Sequence, residues 1–509
     1  MTSLIRLLLP LLLCATALPG ISWAQDPKRS GLTEKLEVRS VNLEAVVVDK
    51  QGNRVQGLGP EDFQLRVGGN IIPIKYFSEI HDGIALDITE RSDVAGAPGA
   101  PEGAPVPTHY LVFIDDMFGI HRDRNLVLDR LLEQFRELKP DDRVALVAYD
   151  GRTVEMIADW QPISGAIDEA FNQAKKRKSY GLATQARLRS LGGTENVGRV
   201  ERLRLLDDLW TALRSTLRSF SEPRGRKAAL LLSGGWPVGG RFHIAGRQAV
   251  ETVGDTANLL GYTLYPVDLP GRASAMTSAD NRDPSVPVID LAPHDTLATL
   301  AERTGGKALL DGARLASGRK AIEDTRSYYW IGFTPDWKQD NQLHRVKLEV
   351  LRPGLEVRTR RDFIDRSKST ERTIMAEAAL MFDRVPGALP LEARFGEPRK
   401  VKRRTRVTVD MQIPMDQVVM LPGPEGHQAL LELRVAVLDN RGDRNDIAPI
   451  PVVINGPALP DPGAESTFST EIELRSRQQR LILTLHDTVG DALFVARTSI
   501  DPRSKKRGR

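Results

Sequence analysis

Tyr110-Leu111-Val112-Phe113-Ile114-Asp115-Asp116 is a short apolar run that ends in two carboxylates. Behind it, Val127, Leu128, Leu131, Leu132, Phe135 and Leu138 fall at helical spacing and mark one buried face of a helix over residues 122–138. Pro140-Asp141-Asp142 is a turn signal, and a second apolar run follows over residues 144–149. Continuous apolar runs rich in β-branched and aromatic residues suit strands buried on both faces. Strand, amphipathic helix, strand opens a parallel α/β sheet. Such sheets bind ligands at the carboxyl ends of their strands, which is where Asp115 and Asp116 stand.

The same pattern continues to residue 326. An edge strand is expected over 153–160, followed by a basic helix over 166–190 whose Lys175-Lys176-Arg177-Lys178 run reads as a solvated face. A helix over 205–220 leads to a buried strand over 228–232 that ends in Ser233-Gly234-Gly235. Helix 247–260, strand 262–267 and helix 295–303 come next, the last closed by Thr304-Gly305-Gly306 as a glycine C-cap. Leu309-Leu310 marks a last strand and 318–326 a last helix. The expected fold is a doubly wound, mostly parallel sheet with helices on both faces over residues 108–326.

The flanks have a different period. Residues 25–93 form a small antiparallel β unit, with Phe63-Gln64-Leu65-Arg66-Val67 alternating as a half-buried strand does. Residues 94–107 are rich in Pro, Gly and Ala and read as a linker. Strands in 327–365, among them Tyr328-Tyr329-Trp330-Ile331-Gly332-Phe333, complete the N-terminal unit, which is too small to stand alone. Residues 366–400 read as a helical linker, with a helix over 371–383. Six or so short strands in 401–502 read as a β-sandwich, and 503–509 is a basic tail.

A chain of 509 residues implies about three domains. A formal charge of +4 on this length gives no argument for nucleic-acid binding. Residues 1–24 read as a secretory signal peptide, with Arg6, the apolar run 7–13, and Ser22-Trp23-Ala24 before the cut. That run falls short of the ~20 residues a membrane span needs. Cleavage removes Cys14, the single cysteine, and with it disulfides, thiol catalysis and cysteine metal sites. Whether Cys14 is lipidated stays open. The expectation is a soluble protein exported to the periplasm or beyond, without stable membrane insertion. No His-Glu-x-x-His, no Gly-x-Ser-x-Gly around Ser233 and no glycine-rich phosphate loop occurs. Arg441-Gly442-Asp443 reads as a hairpin turn.

In order along the chain, 111–116, Asp141 to Gly151 (DDRVALVAYDG), Gly225 to Gly235 (GRKAALLLSGG), Tyr262 to Pro270 (YTLYPVDLP), Leu300 to Lys307 (LAERTGGK) and Ser327 to Pro335 (SYYWIGFTP) resemble the von Willebrand factor type A family. More narrowly, they are similar to the bacterial exported proteins with a VWFA-related domain, over roughly residues 36–365. The family's metal-ion-dependent adhesion site (MIDAS) uses Asp-x-Ser-x-Ser, a Thr in a glycine-rich loop and a late Asp to give Mg²⁺ the oxygen ligands it needs. Carried over, Asp115 matches the first Asp and Thr194 the Thr, but Met117 and Gly119 stand at the two Ser positions. Ser233-Gly234 stands where the late Asp belongs. The resemblance therefore leaves Asp115, Thr194 and Ser233 as metal ligands for Mg²⁺ or Ca²⁺, and implies a degenerate site that works without a cofactor. It implies a non-enzymatic protein-binding (adhesion or assembly) protein that grips a protein partner with a rim of Asp115, Asp116, Thr194 and Ser233. One alternative is an architectural scaffold of an envelope complex, docked through the basic helix near Lys175. Another is a carboxylate-dependent hydrolase using Asp115 and Asp116, which must overcome the opposite directions of neighbouring strand side chains.

Overall fold

The computed structural model describes residues 41–89, 103–190, 195–221, 225–234, 236, 243–269, 293–365, 387–423, 426–439, 444–446 and 449–501, with scattered residues between 367 and 385. The expected signal peptide, most of the linker at 94–107, Thr194, Arg441-Gly442-Asp443, most of the helix at 371–383 and the basic tail lie outside them. Among the described residues no helix is long and apolar enough to cross a membrane.

Five strands open the described chain: β1 (Val41–Asp49), β2 (Phe63–Val67), β3 (Asn70–Ile71), β4 (Tyr76–His81) and β5 (Ile84–Thr89). Alternation along β1 sends Val41, Leu43, Ala45 and Val47 into one apolar cluster and Val46 into another on the opposite face.

The α/β region follows with β6 (Thr108–Asp115), α1 (His121–Phe135), β7 (Arg143–Tyr149), β8 (Val154–Gln161), α2 (Gly165–Lys176), α3 (Gly181–Ser190) and α4 (Glu195–Ser219). Then come β9 (Arg226–Ser233), α5 (His243–Leu260), β10 (Tyr262–Asp268), α6 (Pro293–Arg303) and α7 (Ser317–Arg326). The sheet order is β10-β9-β6-β7-β8, parallel throughout except for the antiparallel edge strand β8. Leu111 and Phe113 of β6 pack with Leu206, Trp210 and Leu213 of α4 and Val253 of α5. Tyr110, Val112 and Ile114 pack on the other face with Val127, Leu131 and Phe135 of α1, Phe171 of α2 and Ile322 of α7. Both faces of β6 are thus apolar because both are covered.

Two details differ from the sequence reading. The basic helix expected over 166–190 is two helices, broken at Arg177–Tyr180. Leu309 makes a single parallel bridge to Val267 rather than a strand, because the chain turns at once into a 3₁₀ segment at Asp311–Ala316.

β11 (Tyr328–Phe333), β12 (Gln342–Val350), β13 (Leu355–Arg358) and β14 (Asp362–Asp365) return to the first strands. They build a sheet of order β13-β1-β11-β4-β5 and another of order β14-β12-β2-β3, pairing Val41 with Phe333 and Leu65 with Leu348. Phe63, Phe77, Tyr329, Phe333 and Phe363 pack between them. A buried charge cluster joins this β region to the α/β region. Asp324 of α7 accepts hydrogen bonds from Arg54, Arg358 and, at 2.6 Å, the Tyr265 hydroxyl. Burial alone would raise the Asp324 pKa, but the Arg358 and Arg54 guanidiniums outweigh it and hold it at about 2.

After scattered helical residues between 369 and 379, the described strands are β15 (Leu389–Pro390), β16 (Glu392–Phe395), β17 (Arg399–Val401), β18 (Arg404–Pro414), β19 (Leu421–Gly423), β20 (Gly426–Asp439), β21 (Arg444–Asp446), β22 (Ile450–Gly456), β23 (Glu465–Arg475), β24 (Gln479–Asp487) and β25 (Leu493–Ile500). β18 with β16, β17 and β23 forms one sheet, and β20 with β19, β21, β22, β24, β25 and β15 the other. Val407, Val409 and Met411 of the first share an apolar cluster with Leu431, Leu433 and Leu483 of the second. Residues 389–401, expected as the end of a helical linker, instead supply strands, because alternate residues of Glu392–Phe395 can pair with β18.

Candidate functional site

The carboxyl ends of β6, β9 and β10 bring together Asp115, Ser233 and Asp268, with Ser233 directly opposite Asp268. The Ser233 hydroxyl donates to Asp115 Oδ2 at 2.6 Å, and the Trp236 indole N–H donates to the same oxygen at 3.4 Å. Oδ1 accepts the backbone N–H groups of Met117 at 3.1 Å and Phe118 at 3.0 Å. Four donors thus take up the about four lone-pair sites a carboxylate offers. Asp115 is 0% exposed. Burial raises its pKa to about 6, despite the opposing hydrogen bonds from Ser233, Phe118 and Trp236, and the Asp116 charge adds to the rise.

The departures from the MIDAS pattern have a physical counterpart. A Cβ on Gly119 would stand 2.6 Å from the Asp115 carbonyl oxygen, so no serine fits there without a shift. Met117 is buried and packs against Gly151 in the β7–β8 turn. Gly234, where the late Asp belongs, would place a Cβ 2.4 Å from the Phe118 carbonyl oxygen. Apolar packing and backbone occupy the space that ligands would need.

Asp116, the first residue of the turn after β6, takes another direction. It accepts from Arg124 of α1 through Oδ1 and from Arg177 Nε at 2.9 Å through Oδ2. Arg177 also pairs with Glu155 of β8. The Asp116 pKa stays above the ordinary value because burial outweighs the pull of the two guanidiniums. Arg124 is fully buried, and its Nη2 donates to the carbonyls of Lys175 at 3.1 Å and Arg177 at 2.9 Å. The end of α2 is therefore bolted to the loop after β6. Tyr180 N–H donates to the Asp116 carbonyl at 2.7 Å and Gly181 N–H to the Gly119 carbonyl at 3.0 Å. α3 is seated on that loop at its first residue, leaving Tyr180 40% and Leu182 63% exposed.

The sequence reading of a rim needs correction. Asp115, Asp116 and Ser233 meet the same loop system, and all three are buried rather than standing on an open rim. Thr194 lies outside the described residues. Arg177, read as part of a solvated basic face, points inward because Asp116 needs a countercharge. Arg124, Trp236 and Asp268 were not singled out by sequence. Asp268 ends its strand as Asp115 does, an aspartate directly after a β-branched residue (Val267, as Ile114) and an apolar run, and that signal could have found it. Among the described residues, the one grouping of His and carboxylates spaced for a cation lies elsewhere, at Asp340, His344 and Asp365.

No family model matches the chain, and no curated protein matches it. Solved structures that align with parts of it include the TFIIH p34 N-terminal domain, at 13% identity over 43% of this chain and 97% of that one, with a TM-score of 0.20. The SpRpn10 VWA domain aligns at 10% identity over 34% of this chain and 95% of that one, with a TM-score of 0.17. A Bacteroides uniformis β-glucuronidase aligns at 17% identity over 23% of this chain, with a TM-score of 0.15, and the chain spans 13% of that enzyme's length. Likenesses this partial do not decide the fold. The strand order does: it is mixed α/β with several sheets, one of them largely parallel.

Proposed function

We propose that the chain is an exported, non-enzymatic protein-binding protein built on a doubly wound α/β domain of the von Willebrand factor A type, between a β unit and a C-terminal β-sandwich. Its adhesion site is degenerate, and the gripping surface has moved from the ion position to the outer side of α3. The observation that carries this reading is the saturation of Asp115 by Ser233, Trp236 and two backbone N–H groups. An adhesion site works by leaving a cation with an open position; here the carboxylate is closed off and α3 sits over the loop. Tyr180 just before α3, Leu182 on it and Val200 early in α4, at 66% exposure, are exposed apolar side chains of the kind partners bury. Asp116, clamped by Arg124 and Arg177, is not offered to a substrate, which supports binding over the carboxylate-dependent hydrolase.

The test is co-purification from the native envelope with a photo-crosslinking residue at position 182. One crosslinked partner is expected, lost in Leu182→Asp and kept in Asp115→Asn. Crosslinks confined to residues 387–501, with co-purification unchanged in Leu182→Asp, would favour the architectural scaffold instead. Calorimetry with Mg²⁺ decides the ion question: tight binding abolished by Asp115→Ala sinks the degenerate reading.

A further inference from the structure

We propose that Asp340, His344 and Asp365 form a binding site for a divalent transition-metal cation of the Zn²⁺ class, in the β region and apart from the β6 loop. One ring nitrogen of His344 and one carboxylate oxygen from each aspartate lie within 4.8 Å of one another. The register of β12 on β14 explains the grouping. Gln342 stands opposite Asp365 and His344 opposite Phe363, so His344 and Asp365 are diagonal neighbours on one face. Asp340 precedes the strand by two residues, in a turn where Gln339 and Asn341 take positive φ angles of 54° and 59°.

Each ligand is positioned by its surroundings. The His344 ring stacks on Phe363, with centroids 5.2 Å apart and planes at 17°, which fixes the direction of Nε2. One oxygen of Asp365, Oδ2, accepts the backbone N–H groups of Lys338 and, at 2.9 Å, Gln339. Asn341 N–H donates to the Asp365 carbonyl at 2.7 Å, so the turn before β12 wraps this residue. Asp340 Oδ1 accepts the Gln342 N–H at 2.8 Å.

What remains unpaired is what a cation would take. Asp365 is 1% exposed, yet its Oδ1 has no hydrogen-bond partner among the described residues, and neither has the buried Nε2 of His344. Buried polar atoms left this way are costly and uncommon. Nε2 stands 3.6 Å from Asp340 Oδ1, too far for a hydrogen bond. Ligand atoms about 2.1 Å from a tetrahedral Zn²⁺ stand about 3.4 Å apart, so a cation fits between these two with little movement. One imidazole and two carboxylates suit Zn²⁺, Co²⁺ or Ni²⁺ better than Mg²⁺ or Ca²⁺, which favour all-oxygen shells. Three protein ligands with Asp340 exposed leave the next position to water. A bound ion would tie the turn before β12 to the end of β14 and stabilise the β region by mass action.

The untagged full chain, stripped with chelator, is titrated with Co²⁺ and then Zn²⁺ while the visible d–d bands of Co²⁺ are followed. Equimolar Co²⁺ is expected to give the bands, and Zn²⁺ to displace them. His344→Gln abolishes them. Asp340→Asn, at an exposed position, weakens binding by at least the about 10–100-fold that loss of an outer partner costs. Asp115→Asn leaves binding unchanged. Absence of bands in the parent, or bands of unchanged affinity in Asp340→Asn, overturns the proposal. If His344→Gln does not fold, Asp340→Asn alone decides.

Discussion

Asp115 and Asp324 are both buried carboxylates of the α/β region, and they are held in opposite ways. Asp115 at the end of β6 is surrounded by neutral donors: a hydroxyl, an indole and two backbone N–H groups. Asp324 on α7 is held by two guanidiniums and a phenol. Burial dominates for the first and lifts its pKa to about 6, whereas Arg358 and Arg54 overcome burial for the second and hold it at about 2. Neutral donors satisfy geometry at Asp115 without offsetting burial, whereas the two guanidiniums at Asp324 outweigh it; at Asp116 two guanidiniums do not. Asp324 is thus a joint between two regions, and Asp115 is a carboxylate enclosed at the end of the central strand.

That contrast can be broken in several ways, the largest first. Asp324→Asn leaves Arg54 and Arg358 without their shared countercharge and should cost about 3–5 kcal/mol in chemical denaturation. A loss below about 1 kcal/mol, the range of exposed pairs, would mean the cluster is wet and the contrast false. The pH dependences should run in opposite directions. Asp324 has a lowered pKa, so its contribution is present above the ordinary 3.8 and lost as pH falls through about 2. Asp115 has a raised pKa, so its contribution is full below 3.8 and lost as pH rises through about 6. Asp115→Asn should remove that falling limb, changing the gap to the parent by on the order of 3 kcal/mol between pH 4 and pH 7. A constant gap across that range would show Asp115 to be solvated. Gly234→Ala pushes a Cβ against the Phe118 carbonyl oxygen and should cost about 1–3 kcal/mol, read from the thermal midpoint. Leu182→Asp should change stability by no more than about 0.5 kcal/mol while removing partner capture, since its side chain packs on nothing that folding needs.

The apolar run before Asp115 was legible because a strand covered on both faces has no polar period to keep. Ser233 could be placed beside it by the same logic, since both end apolar runs in a parallel sheet. What sequence could not show was the enclosure of the site. Nothing local separates Arg177 from Lys175, Lys176 and Lys178; only the break after α2 and the buried Asp116 draw it inward. Trp236 stands three residues past a strand whose end carried the attention, and its reach to Asp115 is a tertiary fact. The strands at residues 389–401 are too short to display a period, and Glu392–Phe395 becomes regular only against β18.

The pairing of β1 with β11 sets Val41 against Phe333. The first described strand therefore has to wait for one made only after the α/β region's described helix at Ser317–Arg326. Closure over so long an interval is slow, and both apolar faces of β1 stay bare until it happens. During synthesis the early segment is an aggregation hazard that only the late segment can quench, so the order of emergence and the order of assembly run against each other.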